Sequence, residues 1–298
     1  MRSLAASIIL LLALNSCSKR EIETEKQTKT SAIPLEFILR NNIIINHKGS
    51  QKEITIPENV NGEKIIAIGD GALSKNPSFV KVILPSTIEM IGRGAFAECT
   101  SLQTVFISDA VRDIGKAPFA ACSSLNSIKV SLQNRNYREL DGVLFDKQLK
   151  NLIQYPANAS STYEVPASVT TINEAAFAEC LKLESIIFPK TLNKIEKAAF
   201  LGCSMLKEVI LPESLKVISE GTFVGCSNLK TVTIPESVTV IEDGAFAHCT
   251  RLESIVFEGL PPLTGNGVFT NCSPKIYVSK NKGWTDSYLN LKTVKQPG

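Results

Sequence analysis

Seven cysteines stand on one ruler: Cys99 and Cys122, then Cys180, Cys203, Cys226, Cys249 and Cys272, each 23 residues from the next except across one gap of 58. A fixed period of this length is the mark of a solenoid, a fold in which each repeat buries its apolar side chains only against its neighbours. The ruler carries a second mark. Phe96, Phe119, Phe177, Phe200, Phe223, Phe246 and Phe269 each precede a ladder cysteine by three residues, and Leu73 and Asn76 fill the two slots one period earlier. Upstream in each unit lies a short apolar strand that often ends in proline, as in Leu229-Lys230-Thr231-Val232-Thr233-Ile234-Pro235. Eight units are counted in this way.

The gap of 58 equals two periods and twelve residues, so one unit, at about 131–166, is expanded. Within it Leu140-Asp141-Gly142-Val143-Leu144-Phe145 and Leu152-Ile153-Gln154-Tyr155-Pro156 read as strands joined by tight turns, with Asp141-Gly142 the strongest turn signal. This segment is either a hairpin bulging from the solenoid edge or a binding loop. The repeats span 73–272, flanked by caps at 33–72 and 273–298 that protect the terminal apolar faces. Trp284, Tyr288 and Leu289 are placed to cover the last coil.

The unit Leu-x-x-Val-x-Ile-Pro-x-Ser-Val-x-x-Ile-x-x-x-Ala-Phe-x-x-Cys, read from Leu229 to Cys249, resembles the BspA-like class of bacterial leucine-rich repeats. The resemblance runs from about Leu35 to Val294 and includes the expanded unit. It implies a mainly β leucine-rich repeat solenoid. It also implies a surface or secreted binding protein, in some members adhesin-like toward host matrix proteins or other cells.

The chain starts with Met1-Arg2 and an apolar run from Leu4 to Leu14, too short to span a bilayer and readable as a signal sequence over 1–16. Leu14-Asn15-Ser16-Cys17 resembles a bacterial lipobox, which implies lipidation of Cys17 and a membrane anchor. Residues 17–32 are charged and poor in apolar side chains, as a flexible tether would be. The resemblance to lipoprotein sorting signals places the protein in a Gram-negative envelope, at the outer membrane or cell surface.

A net charge of +3 with both signs dispersed leaves no nucleic-acid footprint. The ladder side chains should point in parallel, and seven cannot pair fully, so buried free thiols are expected in place of disulfides. His47 and His248 are the only histidines and lack metal-ligand spacing, so no metal or cofactor is expected. No nucleophile elbow or phosphate loop occurs, which argues against an enzyme. Glu98 and Glu179 share a slot with Ala121, Gly202, Gly225, His248 and Asn271, a variety that reads as exposed surface.

Strand alternation singles out one row. With Val105 and Ile107 inward, Phe106 points outward, and its equivalents are Ile83, Lys129, Ile187, Ile210, Thr233 and Val256. Stacked in line these residues would form an apolar stripe beside a polar row of Lys81, Thr104, Ser127, Ser185, Glu208, Thr231 and Ser254. Such a stripe is expected to bind a protein ligand or extracellular-matrix component. It could instead pair two copies of the chain in a structural role in the envelope. A third reading, a glycan-binding lipoprotein, would rest on Phe106, Tyr137, Tyr155, Tyr163 and Trp284 as platforms.

Overall fold

A computed structural model describes residues 37–279 and 283–295. The expected signal sequence, Cys17 and the tether lie outside the described residues. The chain from Pro34 onward is one compact unit, a mainly β solenoid of about ten turns.

Each turn begins with a strand of three or four residues, such as Thr104–Ile107, whose Val105 and Ile107 are buried and whose Phe106 faces out. Equivalent strands pair in parallel and in register, so that Ile54, Val82, Val105 and Ile128 follow one another through the core. Proline closes many of these strands because it has no N–H to extend the ladder. Its carbonyl then accepts a bond from the N–H three residues on, as Pro212 does from Leu215 and Pro235 from Val238. A two-residue strand follows, such as Val217–Ile218, and pairs with its equivalents in a second parallel ladder.

A broad corner then leads into the Phe and Cys slots. The N–H of Phe223 donates to the carbonyl of Ala245 in the next coil, at 2.9 Å, as Phe200 does to Thr222 and Phe246 to Val268. With the coils held at this spacing, the rings of Phe177, Phe200, Phe223 and Phe246 stack at centroid distances of 4.8, 5.4 and 5.4 Å. The thiols behave as hydrogen-bond donors: Cys226 donates to the Phe200 carbonyl and Cys249 to that of Phe223, at 3.3 and 3.1 Å. All seven ladder cysteines are free. Burial pushes the Cys249 thiol up from 9.0 to about 12 and that of Cys272 to about 11.

The expanded unit does not bulge from the edge as a hairpin. It forms a three-stranded antiparallel meander, Tyr137–Leu140, Val143–Asp146 and Asn151–Gln154, with Asp141 and Gly142 in the left-handed turn that the sequence predicts. The third strand pairs in parallel with Thr171–Ile172, which docks the meander into the second ladder. Successive residues of a strand point to opposite faces. Val143 and Phe145 therefore enter the core of the C-terminal coils, while Leu144 enters that of the N-terminal coils. Tyr155 takes the aromatic slot of this coil: its N–H donates to Ala176 and its ring stacks on Phe177 at 4.9 Å. Arg93 and Lys116, from coils before the meander, reach the buried carboxylate of Glu174 beyond it at 2.5 and 3.5 Å, and Lys116 also pairs with Glu196.

The ends are continuous with the repeats. At the start, Ile43–His47 folds back on Phe37–Arg40 and pairs in parallel with Ala67–Ile68, and Phe37 packs its ring on His47. At the other end Leu291–Lys295 extends the strand ladder beyond Lys275–Val278. Trp284 packs on Phe257 and Tyr288 and donates its indole N–H to the Gly259 carbonyl.

Phe223 is fully buried between two stacked rings, so Phe223→Ala should lower the unfolding free energy by about 3–5 kcal/mol in urea titrations. The raised thiol pKa values favour folding while the thiols stay neutral. The Cys249 contribution is complete below pH 9.0 and is lost as pH rises toward about 12, so thermal stability should fall through that alkaline window. Replacing the ladder cysteines by alanine should flatten that fall.

Candidate functional site: the strand face

The outward row lies on one side of the long strands, but as three segments. Ile83, Phe106 and Lys129 are in register on adjacent strands. There the meander intervenes, and Glu139 pairs with the Lys129 ammonium at 3.2 Å. Ile187 follows in a separate two-stranded sheet beside Glu164. Ile210, Thr233 and Val256 then form the third segment, which runs on to Tyr277 and Val294. Along this row the ladder is broken at the expanded coil between Lys129 and Ile187, and again between Ile187 and Ile210, whose strands still lie side by side.

Exposure is uneven along the row. Ile210 is 75% exposed, Ile187 61% and Phe106 39%, while Ile83, Thr233 and Val256 are half-buried. The Lys81 ammonium sits 5.6 Å from the centre of the Phe106 ring, which covers part of that ring. The most open apolar surface thus belongs to Ile187 and Ile210. Beside Ile210 the face is grooved: Phe188, Leu211, Pro212, Thr233 and Pro235 bound a cavity of about 470 Å³ with Lys190, Glu213 and Glu258 at its edge. A second cavity of about 600 Å³ lies between Val256, Tyr277, Glu253 and Lys275. The polar row flanks both segments: Glu208 and Thr231 are exposed, and Ser185 and Ser254 are half-buried.

The aromatic platforms of the glycan reading are mostly absent from the surface. Tyr155 and Trp284 are buried, and Tyr163 packs its ring on Tyr155 at 4.7 Å. Burial pushes the Tyr155 hydroxyl up to about 12, and the same cause raises that of Tyr163. Tyr137 is half-buried, with its hydroxyl accepting the Ile114 N–H at 2.9 Å. Phe106 alone of the five is open. Tyr155 and Tyr163 pack on Phe177 at the end of the aromatic stack, and Trp284 packs on Phe257 over the last coil.

The slot shared by Glu98, Ala121, Glu179, Gly202, Gly225, His248 and Asn271 has a constraint that its variety of residues conceals. Each of them adopts φ between 57° and 74°, the left-handed region. Four residues upstream a second left-handed position recurs, as Gly94, Ala117, Ala175, Ala198, Gly221, Gly244 and Gly267. Glycine at four of those seven positions was the available signal. The exposed His248 imidazole lies 3.1 Å from the Asn271 amide, and among the described residues no group of three or more His, Cys, Asp or Glu is placed to hold a metal ion.

The period, the paired ladders and the Phe and Cys slots agree with one family of repeats: the BspA type leucine rich repeat profile matches residues 42–152 and 147–275, with six copies. The chain belongs to that family. Among solved structures it is similar to the pneumococcal vaccine antigen PcpA, with 22% identity over 80% of this chain and 67% of that one and a TM-score of 0.64. It is also similar to a leucine rich cell surface protein from Faecalibacterium prausnitzii A2-165, with 22% identity over 83% and 94% and a TM-score of 0.52. At these identities the likeness speaks for the fold. No curated protein matches the chain.

A left-handed residue other than glycine is strained by about 1–2 kcal/mol, against about 0.5–1 kcal/mol of extra chain entropy that glycine gives up on folding. Ala198→Gly, at φ 53°, should therefore raise stability by up to about 1 kcal/mol in urea unfolding, and Gly221→Ala, at φ 59°, should lower it by a similar amount.

Proposed function

We propose that this protein is a non-enzymatic, lipid-anchored protein of the bacterial cell envelope that presents the strand face of its leucine-rich repeats to a protein partner, in the manner of an adhesin. The observation that carries the reading is the apolar surface at Ile187 and Ile210, held open on neighbouring strands beside a groove floored by Leu211 and Pro212. Apolar side chains fixed on rigid strands lose little entropy on contact, and repeat proteins commonly bind along such an extended sheet face. Backbone atoms there are already paired within the ladder, so recognition rests on side chains and on the polar rim of Lys190, Glu208, Glu213 and Glu258.

Location is argued from the start of the chain and from analogy. The lipobox-like Leu14-Asn15-Ser16-Cys17 after a short apolar run supports acylation of Cys17. A solved structure of similar fold is described as a cell surface protein and another as a vaccine antigen, which supports exposure outside the cell. Mass spectrometry of the membrane fraction should find Cys17 as an acylated N-terminus; an unmodified Cys17 in a soluble fraction would rule out the anchor.

Binding of the mature chain to a panel of extracellular-matrix proteins should be lost, by about tenfold or more, in an Ile187→Asp, Ile210→Asp variant with an unchanged melting temperature. Equal binding by both chains sinks the strand-face assignment. A dimer in light scattering that the same variant dissolves would transfer this face to self-association.

A further inference from the structure

On the corner side of the solenoid, the expanded coil leaves a gap. Elsewhere four residues separate the short strand from the aromatic slot, as between Ile172 and Phe177, but only two separate Leu152 from Tyr155. No residue from Lys150 to Glu174 has the left-handed φ that builds the outer corner in the other coils. The chain instead turns inward after Tyr155, and Asn158 donates its N–H to Leu125. The corners of the coils on either side, at Ala120 and Ala121 and at Ala175 and Ala178, therefore face one another across a cleft of about 670 Å³.

This cleft is built from small side chains. The alanine methyl groups give it a smooth apolar lining, and the half-open side chains of Leu181 and Leu201 extend that lining on one side. The ion pairs of Arg93 and Lys116 with Glu174 and Glu196 bridge the flanking coils.

Two carboxylates sit on the rim. Glu98 is paired with Lys75 at 3.6 Å. Glu179 is paired with no lysine or arginine among the described residues, and burial alone raises its pKa, with no nearby cation to offset it. Its side chain lies against the next coil: a Cβ on Gly202 would come within 2.3 Å of Oε1, so the absence of a side chain there leaves room for the carboxylate. The site thus combines an apolar trough of small-ligand size with one positioned carboxylate that lacks a counter-charge.

We propose that this cleft binds a short extended peptide through a lysine side chain, with the aliphatic stem on the alanine and leucine lining and the ammonium at the Glu179 carboxylate. A lysine matches both parts of the site, because its four methylenes are apolar and its charge is at the tip. A cation of this kind supplies the charge that Glu179 lacks, and aspartate- or glutamate-bearing peptides meet repulsion at the same point. The site is separate from the strand face and does not rest on the function proposed for that face.

The test is calorimetric titration of the full mature chain with acetyl-Ala-Leu-Lys-Leu-amide, its Glu-for-Lys analogue, and n-heptylamine. The lysine peptide should bind saturably, and about tenfold more tightly than either of the other two. Glu179→Gln and, independently, Ala120→Phe should each weaken it by about tenfold or more, with melting temperatures unchanged. The Ile187→Asp, Ile210→Asp variant should bind it as the parent does. Equal affinity for the lysine and glutamate peptides, heptylamine binding as tightly as the peptide, or no saturation below about 1 mM would each overturn the proposal. If either cleft variant is destabilised, Lys75→Ala serves in its place: it removes the rim's own ammonium from Glu98, and it should strengthen peptide binding, whereas weakening would count against the proposal.

Discussion

The bond from each aromatic slot to the next coil is what the rest of this molecule is built around. By donating its N–H to a corner carbonyl one coil further on, Phe223, like Phe200 and Phe246, fixes the coil spacing at a point where the backbone has left the strand ladder. Once that spacing is set, planar rings can stack, a thiol is the right length to reach the carbonyl of the previous Phe, and the corner must reverse direction within a few residues. The last requirement explains the two left-handed positions per coil. Cysteine at its slot satisfies a buried acceptor while filling a volume too small for a larger side chain, which accounts for its recurrence without any cross-link.

Much of this was legible because the period is strict. Phe96 to Cys272 announce the stacked core directly, and Asp141-Gly142 announces its turn. What could not be read was whatever departs from the ruler. Tyr155 occupies an aromatic slot but lies 22 residues before Phe177 and is not phenylalanine, so it looked like an exposed ring in an insertion. The meander's place in the stack depends on Leu144 and Phe145 facing different halves of the core, a tertiary fact that local alternation leaves open. Along the outward row Phe106, Ile187 and Ile210 are open, whereas Ile83, Thr233 and Val256 are half-buried. The breaks in its ladder, at the expanded coil and again between Ile187 and Ile210, are tertiary features that strand alternation does not encode.

The expanded coil consequently shapes both surfaces. On the strand side it separates Lys129 from Ile187 and puts Glu139 against Lys129. On the corner side it withholds a corner and leaves the alanine-lined cleft. A solenoid of identical repeats presents the same features at every coil; one irregular coil gives this one a unique address on each side. The buried Glu174, bridged to Arg93 and Lys116, keeps the two halves joined where the regular ladder is interrupted.

The tryptophan at the end of the stack gives the molecule an optical handle of limited reach. Trp284 is the only one in the chain, and it is sandwiched against Phe257 and Tyr288 over the final coil. In a repeat array whose coils touch only their neighbours, cooperativity decays with distance along the stack. Indole emission therefore reports fraying of the C-terminal coils, whereas circular dichroism averages over every strand. The interval between the two transitions is a direct gauge of how many coils unfold as one.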